Sequence, residues 1–545
     1  MLNQLAVKRK RIFFFFSFLV FLYIVSVLIN LHLPLLNNEE PRRATIAIEM
    51  LQSGNFIMPS LFGYDYFNKP PVFNWILAGF IYLTGSTSEA IIRLPSFIFL
   101  LLLAFSHFLI ARKFLPNTIA ALSALFTLTC ADIYFYAVQN GGEIDLFYAL
   151  IVYLQVMAIF YFGHKKQWLP LFFFSYLFCA VGFLTKGYPS ILFQGFTLFA
   201  LCFYHRSFKP LFRLQHLAGL LIFALVVGGY LYLFSAYNPP ERLLINLLNE
   251  SFKKSAVGEQ SEKLWSKVFT YPGLVFKFLL PWSIVLLFLF KKIRLQLWAN
   301  PFIRFSILFI VFNVGVYWFT GKPKMRYVYM FLPFYFTILA YIYWRYKSRY
   351  QGVISKVLKY LGIVFLVVLA GVIALPFFFN VNIWWVVVCA FALGLFSYRY
   401  FKKSQYNIWQ FILGFIIVRI VYALLVLPIL HQHESMRYDL MLKEINEVNN
   451  YQPVTYWSAP DSMRLKIDMK YVKWQYEAIA APPEFHYQIP YYYHRTTGNI
   501  MQYESTIQPN KAYITYKGWL KDSSVQILWS YHDRKVGDSL IVFKK

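Results

Sequence analysis

Apolar residues run almost uninterrupted through thirteen stretches, near 12–33, 91–110, 118–138, 144–162, 168–184, 188–204 and 214–235, then 273–290, 302–320, 325–344, 356–377, 381–400 and 408–430. Each approaches the roughly 20 residues that a spanning helix needs. The pattern predicts thirteen transmembrane helices. One further apolar run, Val72–Leu83, is too short to span and is expected to lie along the membrane surface, with Trp75 and Tyr82 as anchors. Ahead of it, Pro41 near a first helical position opens a helical stretch through Met50.

The charges orient these spans. With the basic N-terminus (Lys8, Arg9, Lys10, Arg11) on the cytoplasmic side, the cytoplasmic loops fall at 111–117, 163–168, 204–216, 291–304, 345–359 and 399–407. Together with the N-terminus they hold 23 Lys and Arg and no Asp or Glu. This is the positive-inside signature, and it places the C-terminus outside.

Three large pieces then face outward: a first loop of about 34–90, a loop of about 236–272, and a tail from His431 to Lys545. The tail has 12 acidic and 14 basic residues. Ser435–Asn450 has helical apolar spacing (Met436, Leu440, Ile445, Val448). Short β-rich runs follow at 453–457, 511–516 and 524–529. The expected fold is an all-α polytopic membrane domain over 1–430, with a small α/β periplasmic domain over 431–545. No internal repeat is evident, which weakens an inverted-repeat transporter.

Composition agrees. Of 545 residues, 59% are hydrophobic, 21% aromatic and 14% charged, with a mean hydropathy of +0.51, far from a soluble chain. Soluble enzymes, disordered scaffolds and disulfide-rich modules are excluded. The net charge of +28 would suggest nucleic acid on a soluble protein, but its cytoplasmic placement removes that partner. Cys130, Cys179, Cys202 and Cys389 sit inside apolar runs without metal-ligand spacing, as small buried hydrophobes. The first apolar stretch lacks a small-residue cleavage site and reads as a span rather than a signal peptide.

Ionisable groups mark candidate chemistry in a membrane. Arg419 lies deep in a span, where pairing with a neighbouring helix is as good a reading as function. Most others gather at outer span ends: Glu39, Glu40, Arg42, Arg43, Lys69, Glu143, Asp145, Lys186, Lys322, Lys324 and Arg326, from separate loops. Carboxylates suit proton abstraction or orienting a nucleophile, and Lys and Arg suit phosphate. Locally, Glu39 and Glu40 serve equally well to complement a helix N-terminus, and Lys69 to snorkel.

The succession Glu39-Glu40-Pro41-Arg42, Glu49-Met50-Leu51-Gln52-Ser53-Gly54-Asn55, Lys69-Pro70-Pro71 and Arg93-Leu94-Pro95-Ser96 resembles the first outer loop of the GT-C glycosyltransferases. The branch it most resembles contains the lipid A aminoarabinose transferase and is related to the protein mannosyltransferases (glycosyltransferase family 83-like). Thr185-Lys186-Gly187 resembles that family's Lys-Gly turn, and Lys324-Met325-Arg326-Tyr327 through Leu332-Pro333 resembles its late outer-loop motif. The resemblance covers about 1–430 and is strongest over 38–96.

The resemblance implies a multi-pass enzyme of the bacterial inner membrane. It would move a sugar, with inversion, from a polyprenyl-phosphate donor to a lipid A-like glycolipid, another envelope acceptor or protein on the periplasmic side. The family's essential acid falls on Glu39, with Glu40 the alternative register, and its arginine on Arg42. Lys69 matches the lysine that holds donor phosphate, Asp145 a second acid, and Lys186 and Tyr327 match more loosely. The glutamate before that lysine is here Asn68, and the 236–272 loop has no histidine. Those two family residues accompany a divalent metal, so metal binding is not expected to carry over unchanged. A secondary transporter or lipid flippase, and a receptor sensing through the tail, are the competing classes.

Overall fold

The computed structural model describes residues 2–545 apart from 38, 140, 254–263, 285–296, 319–323, 434–437, 451, 458–486, 521–523 and 534–536. Asn38, Lys322, Ser435, Met436 and parts of the 236–272 loop and of the expected 273–290 span lie outside the described residues. The first helices are α1 (Leu2–Leu28), α2 (Glu40–Ser53), α3 (Val72–Thr84), α4 (Glu89–Ala111), α5 (Asn117–Leu128), α6 (Asp145–His164) and α7 (Trp168–Lys186). Next come α8 (Pro189–His205), α9 (Leu214–Phe234), α10 (Pro240–Lys253), α11 (Leu264–Phe278), α12 (Pro301–Asn313), α13 (Gly315–Trp318) and α14 (Leu332–Tyr346). The last are α15 (Gln351–Ala374), α16 (Ile383–Phe401), α17 (Ile408–Val421), α18 (Leu427–His433), α19 (Tyr438–Val448) and α20 (Gln488–Thr497).

Eight helical segments among the described residues are long and apolar enough to cross a membrane: α4, α6, α7, α9, α12–α13, α15, α16 and α17–α18. Among the described residues α8 is shorter, and two other expected spans are interrupted. The run 118–138 is the clearest case. Its helix α5 stops at Leu128 because the Ala131 N–H turns away to the Leu280 carbonyl, 2.9 Å off. It resumes as a π-helical turn, Ile133–Ala137. Likewise 325–344 opens with two 3₁₀ turns, Met325–Tyr327 and Tyr329–Phe331, and only then becomes α14, with Pro333 in its first turn.

The chain forms two compact units. The first comprises residues 1–35, 68–73 and 88–433, and the second comprises 36–67, 74–87 and 434–545. Most of the first outer loop, assigned from sequence to 1–430, therefore groups with the tail. In the first unit α6 is buried over most of its length, whereas α9, α15 and α16 leave most of theirs exposed. Their exposed side chains are Leu, Val, Ile, Phe and Trp, such as Leu221, Val367 and Phe391. Such a face suits hydrocarbon. The core interlocks through rings, as in Phe126 on Trp282 at 4.2 Å and Phe309 on Phe334 at 4.3 Å.

The second unit carries a five-stranded sheet. Its strands are β3 (Val454–Trp457), β4 (Tyr503–Glu504), β5 (Ala512–Tyr516), β6 (Gln526–Asp533) and β7 (Asp538–Lys544), in the order β4-β3-β5-β7-β6. The β3 pairings are parallel and the rest antiparallel. The tail's predicted helix and three β runs thus appear as α19, β3, β5 and β6. A small hairpin, β1 (Ser60–Leu61) and β2 (Tyr64–Asp65), belongs to the same unit.

Glu49 of α2 holds that hairpin. The loop residues Phe62 (φ 58°) and Gly63 (φ 80°) are both left-handed, as a two-residue type I′ turn requires. For a phenylalanine this costs roughly 1–2 kcal/mol. The Glu49 carboxylate, 3% exposed, accepts from the Phe62 N–H and the Ser60 hydroxyl at 2.6 Å each, and from the Gly63 N–H at 3.3 Å. Burial raises its pKa, outweighing the three hydrogen bonds that favour charge. Glu49→Ala is expected to cost about 2–3 kcal/mol by stranding buried donors, and Glu49→Gln less. A raised folded pKa means that the stabilisation is fully present below the ordinary carboxylate range and is lost as pH rises through the raised value. Thermal unfolding from about pH 4 to 8 checks this: Glu49→Gln flattens that slope.

Candidate active-site clusters

Two clusters of charge and aromatic rings emerge, one in each unit. In the first unit the loop before α6 delivers Glu143 and Asp145, and the last turn of α7 delivers Lys186. Asp145 enters α6 at its N-terminus, where a carboxylate complements the helix dipole. The Lys186 Nζ sits 2.5 Å from Asp145 Oδ1, both nearly buried. Arg326, from the turn before α14, lies 2.8 Å from Glu143 and 4.0 Å from Asp145. Two carboxylates thus meet two cations.

Three rings surround the Lys186 ammonium: Tyr148 at 4.9 Å, Tyr327 at 5.6 Å and Tyr317 at 5.8 Å. Tyr317 and Tyr327 stack at 4.8 Å, nearly parallel. Such faces attract a cation that has lost its water. The sequence-predicted Asp145, Lys186 and Tyr327 therefore come together. Sequence reasoning missed Tyr148, Tyr317 and the pair Asp132–Tyr329, whose hydroxyl donates to the carboxylate at 3.0 Å. Asp132 lay concealed within an apolar run. The break after α5 was the missing signal.

Lys69 is half-buried in the 68–73 segment of this unit, beside Asn68. The Asn68 Oδ1 accepts from Asn246 Nδ2 of α10 at 3.2 Å. Asn68 thus presents a neutral amide, already engaged by a second one, where the resemblance places a metal-associated glutamate. An uncharged amide is a weaker ligand for a hard divalent cation than the carboxylate the family carries there.

The second unit holds Glu39, Glu40 and Arg42. Glu40 is fully buried and accepts from the Asn37 N–H at 3.0 Å, closing the start of its own helix. Glu39 is partly exposed and pairs with Arg42, while Arg43 stands 3.7 Å away. The Arg42 guanidinium lies over Tyr487 at 4.9 Å and Tyr66 at 6.0 Å, and donates to the Tyr487 hydroxyl at 3.3 Å. Burial works against its charge, yet Tyr66, Glu39 and Tyr487 hold its pKa above the usual arginine value. Burial also raises that of Tyr487. Of the two adjacent acids, Glu39 is the one left partly open to a ligand. Neither Tyr66 nor Tyr487 was foreseen. Arg42→Lys, which cannot stack as a plane or fork onto a carboxylate, is expected to lower stability by about 1 kcal/mol, read by thermal unfolding; Arg42→Ala should cost more.

Comparisons with known proteins bear on these clusters. Residues 68–231 match the family model described as dolichyl-phosphate-mannose-protein mannosyltransferase. Relatives include the undecaprenyl phosphate-alpha-4-amino-4-deoxy-L-arabinose arabinosyl transferase 1 of Proteus mirabilis, 26% identical over 233 residues, 42% of this chain and 41% of that protein. The protein of the same name from Pseudomonas fluorescens is 26% identical over 257 residues, 46% and 43% respectively. The chain spans less than half the length of these curated relatives. Crystal structures of ArnT from Cupriavidus metallidurans, bound to undecaprenyl phosphate and in the apo state, superpose with a TM-score of 0.65 over 98% of both chains, at 15% and 17% identity. The likeness is one of fold: this chain has the GT-C fold that it shares with those ArnT structures.

Proposed function

We propose that the protein is a glycosyltransferase that moves a sugar from a polyprenyl-phosphate carrier to a cell-envelope acceptor at the periplasmic face of the bacterial inner membrane. The carrying observation is the Asp145–Lys186 pair, wrapped by Tyr148, Tyr317 and Tyr327 and flanked by Glu143–Arg326. It occurs in a fold whose solved example is described as bound to undecaprenyl phosphate. The orientation of the reading, N-terminus cytoplasmic and C-terminal domain periplasmic, rests on the distribution of Lys and Arg.

The chemistry follows from the donor. A polyprenyl phosphate leaves the anomeric carbon as an anion, so the site must stabilise a developing phosphate charge and present a nucleophile on the opposite face. In this reading Lys69, Lys186 and Arg42 take the phosphate, the electrostatic term that usually dominates. Phosphate oxygens then compete with Asp145 for the Lys186 ammonium. Glu39 is the general base for a hydroxyl acceptor; for an already ionised phosphate acceptor it orients the nucleophile or balances the cations. Single displacement inverts the anomeric carbon. No metal enters this reading.

A glycolipid of the lipid A kind is the first acceptor class, in line with the names of the sequence relatives. A protein acceptor is the second, favoured by the description of the family model that matches 68–231. Mass spectrometry of lipid extracts from cells lacking the protein, beside the parent, tests both. Accumulation of one polyprenyl-phosphate sugar with loss of that sugar from a glycolipid is the expected result. Accumulation with unchanged glycolipids moves the acceptor to protein or polymer, and no change in either pool overturns the transferase. Glu39→Gln and Lys69→Ala should each abolish transfer with membrane insertion intact; near-parental activity in both would remove the residue assignment.

A further inference from the structure

Arg419 sits in the last turn of α17, midway along the apolar helical segment Ile408–Gln432, and is 0% exposed. Among the described residues no carboxylate pairs with it, and its Nη1 has no hydrogen-bond partner. Taking a guanidinium out of water without a counter-charge costs several kcal/mol, and an apolar side chain would pack the same space more cheaply. What Arg419 does make is specific. Its Nε donates to the Tyr134 carbonyl at 3.1 Å, and its plane lies within 5.2–5.8 Å of the rings of Tyr422, Phe135 and Tyr134.

Tyr134 belongs to the π-helical turn Ile133–Ala137, and a second such turn, Tyr422–Val426, continues α17. The two are stitched together. Phe135 meets Tyr422 edge to face at 5.4 Å, and the Tyr422 hydroxyl donates to Gln139 Oε1 at 3.4 Å. From α1, Tyr23 stacks on Tyr134 at 4.7 Å and Ser26 hydrogen-bonds its hydroxyl. Beyond α1, Asn30 donates to the Ala423 carbonyl at 2.9 Å. π-Helical turns of this kind gather at functional sites.

The first turn leads directly to Glu143 and Asp145. Between that turn and the two acids, Gly141 runs so close to its neighbours that a Cβ would stand 3.1 Å from the Val138 carbonyl and 3.2 Å from that of Arg93. The Ser96 hydroxyl then fixes the Glu143 carbonyl at 3.1 Å. The acidic turn is thus short, tightly seated and rooted in the segment that Arg419 grips.

We propose that Arg419 is a positioning residue for the acidic turn: by holding the Tyr134 carbonyl it sets where Glu143 and Asp145 stand, and so the pairing of Asp145 with Lys186. This rests on the transferase reading only for its effect on turnover. The test uses the full chain in detergent or lipid nanodiscs, with Arg419→Met, Arg419→Lys, Asp145→Asn and the double variant Arg419→Met/Asp145→Asn. Asn30→Ala, which loosens only the second π turn, is the structural control.

Two readouts separate positioning from general support. Amide hydrogen exchange needs no substrate: Arg419→Met should speed exchange over 138–146 while distant helices keep their protection, Arg419→Lys should restore part of it, and Asn30→Ala should leave 138–146 unchanged. Unchanged exchange over 138–146 in Arg419→Met, or an equal rise throughout the first unit, overturns the proposal. For transfer with the donor that accumulates in deletion cells, Arg419→Met should lose about tenfold or more in turnover, with little further loss when added to Asp145→Asn, as expected of coupled residues. Independent, multiplying losses overturn it. If the local exchange result holds but no variant, parent included, transfers sugar, the proposed function fails and the positioning role stands.

Discussion

A bilayer supplies no water to a broken helix, so every backbone group released where a span is interrupted must find a partner within the protein. That constraint organises the membrane unit. The chain breaks after α5, and the Ala131 N–H is received by Leu280. It widens at Tyr134 and Ala423, whose carbonyls take donors from Arg419 and Asn30. Where α1 ends, the carbonyls of Leu31, Pro34 and Leu35 are gathered by the single buried guanidinium of Arg93, at 2.7–3.0 Å. Each interruption draws a partner from a distant part of the sequence. Polar groups and irregular backbone consequently collect in the same places, and the acidic turn at 143–145 follows one of them.

The charged cluster obeys a related rule. Lys186 and Arg326 share Asp145 as a neighbour, and without counter-charge they would repel in a medium that screens poorly. Asp145 and Glu143 supply counter-charge, and the tyrosine faces soften the loss of water around the ammonium. A buried pair of this kind gains little net stability over an apolar one. Under the proposed function its cations would pass from a resident carboxylate to an incoming phosphate. The second unit repeats the device with other residues: Glu39 engages Arg42, and Tyr66 and Tyr487 supply the rings.

Much of the helical frame was legible from hydropathy, because α4, α6, α7, α9, α15 and α16 are long apolar runs bounded by charge. The breaks were not. Apart from Asp132, Cys130 to Ala137 is as apolar as a helix interior, and the hydrogen bond to residue 280 at its break is invisible to any local pattern. Asp145, Lys186 and Glu39 were legible as ionisable groups at span ends, where their number is small. The rings were not: in a chain with 42 tyrosines, nothing marks Tyr148, Tyr317 or Tyr487 as the ones that meet a cation. The grouping of the first outer loop with the tail was equally hidden, since Arg42 and Tyr487 are 445 residues apart.

Broken helices with an arginine at mid-span are also what a secondary transporter offers, so the breaks alone do not choose between the two classes. What the released groups do is more telling. In a transporter they line a path and address a cargo. Here the Tyr134 and Ala423 carbonyls are closed off by side chains of the protein itself, and Arg419 is wholly buried among Tyr134, Phe135 and Tyr422. The charged residues that retain some exposure, Arg326 and Glu39 among them, stand at helix ends instead. An interruption sealed in this way does not open a route through the bundle. It redirects the chain, so that a helix which would otherwise have continued delivers two carboxylates to its end, as the proposed transferase requires.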